Sequence, residues 1–274
     1  MPVCQYDQNK DFLSKAKSAL QELFERARSL DELNFAASLS PEFRPYRRNS
    51  AVDAQYAFSD YANFLSRGVE EEIRPRVALA FYAHLAEASG FWEIPKNLIS
   101  VCQGHKYNPM PFAQFTAKYG SAEGSPIPNA NKLMRSLVRA SQEAGFTELA
   151  AMFCGAFDSD LRNAFAHSDY YLDKEGIFIH SRYGHERVID WTELNVLLER
   201  AMHVYQILNA LRVEHCQTYV VQKEIFGALN HQEGKTIWKV KFIQPEGAMV
   251  LSNGHALLQF SAYPNSPALM ASEV

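Results

Sequence analysis

Arg162, Asn163 and His167 fall within one six-residue stretch. Arginine offers a planar fork that matches two oxygens of a phosphate or carboxylate, and its charge does not titrate away. Histidine is the side-chain type that exchanges a proton near neutral pH. An amide beside them can orient either group. Such a set can hold an anion and move a proton next to it. On a helix, Asn163 and His167 are four apart and about 40° apart around the axis, so they are neighbours. Arg162 and His167 are five apart, about 140° around, and can flank an object held off the helix end without stacking. Asp158 lies one turn before Arg162 in the favourable acid-first order for an ion pair. A plainer role fits the same spacing. His167 can sit at a helix C-terminus because the dipole favours it there, and Arg162 can be a solvated partner of Asp158 worth a few tenths of a kcal/mol.

These residues need elements to place them. Leu149, Met152, Phe153, Ala156, Phe157, Leu161, Ala164 and Phe165 recur at three- and four-residue steps. That periodicity predicts one helix, capped by Thr147, with the motif at its exposed end rather than in the core. Ser168 and Asp169 then open a turn. Tyr170 to Leu172 and Ile177 to His180 predict a hairpin, and Arg187 to Ile189 a third short strand. Asp190 with Glu193 is an acidic variant of the capping box and launches a helix to about Arg212. Its apolar stripe, with Leu194, Leu198, Leu208 and Leu211, is expected to pack on the motif helix.

The run Arg162-Asn163-x-x-x-His167, at a helix end and before a short β excursion and a long helix, resembles the signature of the HEPN superfamily. Its pattern is an arginine, four to six residues and a histidine, with a polar residue just after the arginine. The resemblance implies a helical bundle and a metal-independent endoribonuclease that cleaves RNA by attack of its own 2′-hydroxyl. Toxin–antitoxin, abortive-infection and stress-defence systems are the expected settings. It also implies a homodimer in which two motif helices face each other, so that one histidine acts as base and the second as acid. Arg162, Asn163 and His167 would be the catalytic residues, with Asp158, Asp169 and Tyr170 in support. No cofactor is implied; an antitoxin or other regulatory protein is. A catalytically inactive HEPN-like module that binds a nucleotide or a partner is the alternative. One branch of the family carries a tyrosine two residues past the histidine, where a partner antitoxin attaches a nucleotide. Here that position is Asp169, with Tyr170 and Tyr171 following, so that regulatory chemistry does not carry over.

The remaining chain is expected to frame this body. Residues from about Lys10 to Ser29 predict an amphipathic helix, followed by a polar linker carrying Arg44, Arg47 and Arg48. That linker reads as a solvated loop and as a second contact for phosphate. Helices are expected from Ser50 to about Ser66, from about Glu70 to Ser89 with Gly90 ending it, from Ile94 to Val101, and from Asn131 to Ala144. The stretch from Gly104 to Asn129, rich in Pro and Gly, reads as a long loop that is functional or mobile. Tyr219 to Leu229 leans helical. Thr236 to Ile243 alternates as a strand, and the Pro245-Glu246-Gly247 and Asn253-Gly254 turns divide the tail into a three-stranded meander. The fold class is therefore mainly α, a helical bundle with a short β excursion and a small antiparallel C-terminal meander. Its expected divisions are 1–49, 50–215 and 216–274.

Composition bounds the function. With 274 residues, 47% hydrophobic and 21% charged, the chain has ample material for a core. A net charge of −4 argues against a broad duplex-binding surface, though not against a local grip on a few phosphates. Cys4, Cys102, Cys154 and Cys216 have no short paired spacing, which argues against a disulfide framework or zinc ribbon. His180, His185 and His215 likewise lack ligand spacing, so no metal site is expected. Neither a nucleotide-binding glycine loop nor a serine-nucleophile elbow is present. The N-terminus lacks a signal-like apolar run and no stretch reaches membrane-span length, so a cytoplasmic protein without membrane contact is expected.

Overall fold

A computed structural model describes residues 3–40, 56–61, 63–64, 67–68, 70–112, 130–180, 186–232, 234–244, 248–254 and 257–260. The helices include α1 Val3–Leu30, α2 Glu32–Ser38, α3 Arg74–Glu87, α4 Ser89–Cys102, α5 Ala130–Glu143, α6 Thr147–Ala156, α7 Ser159–His167 and α8 Trp191–Gln217. Between α7 and α8 lie β1 Tyr170–Leu172, β2 Gly176–His180 and β3 Glu186–Asp190. After α8 come β4 Lys223–Gly227, β5 Thr236–Ile243, β6 Ala248–Ser252 and β7 Leu257–Phe260. The chain is mainly helical with two small antiparallel sheets, as its patterning predicts. Among the described residues no helix is long and apolar enough to cross a membrane.

The chain divides into two compact units. The first takes Met1–Leu23, Ala54–Ser89 and Phe112–Leu211; the second takes Phe24–Asp53, Gly90–Pro111 and Arg212–Val274. In the first, α7 packs on α3 and β2, and α5 packs on α6. Leu79 and Leu85 of α3, Leu133 and Leu137 of α5, Leu149 and Phe153 of α6, and Leu161 of α7 are buried. Each such side chain contributes about 1.5–3 kcal/mol on leaving water. The strand order β1-β2-β3 sets Ile177 opposite Ile189, both turned inward, and Tyr171 opposite Phe178 on the other face.

Gly176 opens β2 with φ +153°, and a Cβ there would stand 2.1 Å from the Ile189 carbonyl oxygen. Backbone cannot retreat as a flexible side chain can. Gly176→Ala is expected to destabilise the fold by more than about 2 kcal/mol, read as a lowered urea midpoint. An unchanged midpoint would mean that the hairpin moves freely.

In the second unit, α2 packs on β4, β5 and β6. Trp238, Val240 and Phe242 of β5 are buried while Lys239 and Lys241 face solvent, following the alternation in the sequence. Trp92 of α4 and Phe24, Phe35 and Tyr219 complete that core. His215 lies here too, its ring stacked on Phe24 at 5.2 Å and edge-on to Phe35 at 5.2 Å. Its Nδ1 is buried without a hydrogen-bond partner among the described residues. Burial lowers its pKa and the charge of Arg28 adds to this, against the raising influence of Glu214 and Glu25.

A base with a depressed folded-state pKa is protonated first in the unfolded chain. Its contribution to stability is full above about pH 6.5 and is lost as the pH falls below that value. Urea midpoints taken from about pH 7.5 down to about pH 5 should therefore decline. His215→Phe should make the decline shallower, though not flat, because burial also lowers the pKa of His84 in the first unit. An identical slope in wild type and variant would refute a role for His215.

Several local expectations are corrected. The helix read from Leu149 through Phe165 is two helices, broken where Phe157 takes an extended conformation with φ −127° and ψ 112°. Asp158 then restarts the chain as an N-cap. Gly90 does not end a helix and Pro95 does not begin one; both lie inside α4. Burial of Phe91, Trp92, Ile94, Leu98 and Ile99 outweighs the hydrogen bond that Pro95 removes. Tyr219 to Leu229 is not helical: Lys223 to Gly227 pairs with Val240 to Thr236, making the meander four-stranded rather than three-stranded. Ladder bonds and β-forming Ile225 and Phe226 decide that segment. The main partners of α7 are α3 and β2, not the long helix after Asp190. The short helix α2, capped by Asp31 through a 3.1 Å bond from Asn34 N–H, has no counterpart in the periodicity reading.

Candidate functional site

Helix α7 is set by its two ends. At the first, the Asp158 carboxylate accepts the N–H groups of Asp160 at 2.9 Å and Leu161 at 2.8 Å, satisfying donors that a helix start leaves open. At the second, Ser168 turns into the left-handed region with φ 58°, and its N–H reaches the carbonyls of Ala164 and Phe165. Asp169 N–H closes on the Ala164 carbonyl at 2.9 Å, and the chain leaves as β1. Capping at both ends holds a nine-residue helix that would be marginal alone.

The capping role redirects Asp158. Its carboxylate meets Arg187 of β3 at 2.8 Å, so the expected Asp158–Arg162 pair does not form. Arg162 pairs instead with Glu87 at the end of α3. Its Nη1 donates to Asn163 Oδ1 at 2.7 Å, and the same oxygen accepts from Asn131 Nδ2 at 3.1 Å. Arg162 is only 8% exposed, which corrects the expectation of a side chain at a solvated helix end. Burial pulls its guanidinium below the ordinary arginine range, yet arginine stays charged at neutral pH. Its Nε–H is buried and has no acceptor among the described residues.

His167 behaves differently. It is the last residue of α7 and is exposed, and among the described residues it has no hydrogen-bond or ion-pair partner. Asp169 is exposed beside it and uses its carbonyl to accept His180 N–H at 3.0 Å. Tyr170 packs its ring on Phe165, with centroids 5.9 Å apart. The neighbouring Tyr171 is 41% exposed and stacks on Phe178 at 4.6 Å.

A pocket of about 500 Å³ opens between α5, α6, the end of α3 and the first turn of α7. Asn131, Arg135, Arg139, Asp158 and Arg162 supply polar groups to it. Neither Asn163 nor His167 lines it, so the structure gathers Asp158 and Arg162 at one wall, ties Asn163 to Arg162, and leaves His167 outside. Helix geometry requires this, since five residues carry His167 about 140° around and about 7.5 Å along the axis. Arg44, Arg47 and Arg48 lie outside the described residues, as do most of the Gly104–Asn129 loop and the start of the Ser50 helix.

Three partners escaped the sequence reading. Asn131 and Arg187 carry no local signal. Glu87 carries a weak one: an acid at a helix C-terminus opposes the dipole and calls for a nearby cation. Among the described residues no group of three or more His, Cys, Asp or Glu side chains converges. No family model matches this chain, and neither a curated protein nor a solved structure is detectably similar to it.

Proposed function

We propose that this chain is a metal-independent endoribonuclease of the HEPN type, working in the cytoplasm as a homodimer in a toxin–antitoxin, abortive-infection or stress-defence role. The observation that carries this reading is the pairing of an anchored cation with an unengaged imidazole on one short helix. Glu87 and Asn163 hold the guanidinium of Arg162 in one orientation, while His167 at the exposed end is open to take a proton. The Asn163 Nδ2 group donates to nothing among the described residues and is available to a phosphate oxygen.

In the reaction, His167 removes the proton of an RNA 2′-hydroxyl and the 2′-oxygen bonds to the adjacent phosphorus. Arg162 and Asn163 compensate the charge that builds on the phosphoryl oxygens. The bond to the 5′-oxygen breaks, and that oxygen takes a proton from His167 of a second copy, because one chain supplies a single histidine of this set. An antitoxin or other regulatory protein would act by covering the exposed end of α7.

The test is incubation of the full chain with RNA in excess chelator. Products ending in 2′,3′-cyclic phosphate and 5′-hydroxyl support the mechanism, and cleavage that requires Mg²⁺ defeats it. A second reading, the inactive HEPN-like module binding a nucleotide or partner, is favoured by one observation: Glu87 and Asn163 already engage Arg162. A folded dimer that cleaves no RNA would establish that reading over the first.

A further inference from the structure

We propose that the pocket between α5, α6 and the start of α7 is a binding site for a small organic anion with an aromatic body, such as an aryl phosphate or aryl carboxylate. Its volume of about 500 Å³ lies within the range of about 300–1,000 Å³ usual for small-molecule sites. Met134, Val138, Phe153 and Phe157 form apolar walls. Thioether and ring surfaces of this kind suit a flat aromatic group.

The polar groups select the charge of the ligand. Three arginines and one acid line the pocket. The acid, Asp158, is already neutralised by Arg187 and by the first N–H groups of α7. Arg139 meets Glu143 at 2.7 Å, but the two side chains are 80% and 53% exposed. A pair so solvated is weak and exchanges partners readily. Arg135 is exposed and has no hydrogen-bond or ion-pair partner among the described residues. Arg162, nine-tenths buried at the inner wall, is balanced by Glu87, and its Nε–H keeps no acceptor among the described residues. The uncompensated charge is therefore the positive charge of Arg135, with the loosely held Arg139 one turn along α5, and it stands beside an apolar floor. An anionic group on Arg135 and Arg139 with its ring against Val138 and Phe157 uses both. A neutral aromatic leaves the guanidinium groups unused, and a bare anion leaves the apolar walls wet.

This inference rests on the pocket and not on RNA cleavage, so the two stand or fall separately. Titration calorimetry of the full chain with 1-naphthyl phosphate reads it directly, with 1-naphthol and inorganic phosphate as controls. Saturable binding at one site per chain is expected, with each control weaker by about tenfold or more. Arg135→Glu reverses the unpaired charge at an exposed position, and Val138→Trp fills the pocket. Each is expected to weaken binding of the ester by about tenfold or more, with circular dichroism confirming that the helices persist. Absence of saturable binding overturns the proposal. So does a control that binds as tightly as the ester, or Arg135→Glu binding as the wild type does.

Discussion

His167→Ala is expected to lower RNA cleavage by about 10²–10⁴-fold, the worth of general acid–base help, while leaving the fold intact. The side chain is exposed at the end of α7 and has no partner among the described residues, so its removal creates no cavity and strands no buried group. Surface changes of this kind stay within about 0.5 kcal/mol. No other histidine lies on α7 to replace it. Expression of the wild-type chain should then arrest its host, and expression of the His167→Ala chain should not. Equal toxicity of the two, or equal cleavage rates, would remove His167 from the mechanism. In the proposed dimer the substitution deletes both base and acid, so mixing variant and wild-type chains should yield hybrid dimers of low activity rather than half activity.

The second large effect concerns Arg162, where activity and stability move together. Arg162→Lys keeps a positive charge in a buried place but loses the planar fork that reaches Glu87 and Asn163 at once. Cleavage is expected to fall on the order of 10²-fold, the scale seen when one donor to a developing oxyanion is removed. Arg162→Ala also leaves the Asn163 oxygen short of a donor and Glu87 without its cation, and is expected to destabilise the fold by about 1–3 kcal/mol. A thermal melt separates the two outcomes, since the lysine variant should melt closer to wild type than the alanine variant. A lysine variant with wild-type cleavage would show that the guanidinium does not touch the phosphate. Glu87→Gln offers a further check: it should lower stability by weakening the half-exposed contact with Arg162 while leaving His167 untouched.

Much of the architecture is legible along the chain because it depends on near neighbours. Alternation of Trp238, Val240 and Phe242 with lysines marks β5, and the three short strands before Asp190 follow from alternation and turn residues. Asp190 caps α8 through bonds to the N–H groups of Thr192 and Glu193, each 2.8 Å, which is a three-residue pattern. The type and spacing of Arg162, Asn163 and His167 are likewise written in one turn and a half of helix.

What the tertiary structure alone decides is the use of those side chains. Periodicity runs unbroken from Leu149 to Phe165, yet the helix breaks at Phe157, because Asp158 serves both the α7 start and Arg187 of β3. That diversion frees Arg162 for Glu87, a residue whose nearness depends on α3 packing against α7. Burial of Arg162, the Asn131–Asn163 bond and the pocket beside them all arise from segments distant in the chain. Local spacing can state which chemistry a residue is capable of. Which charge meets which, and which donor is left over, depends on the packing of helices, and packing is set by contacts that no short window of sequence contains.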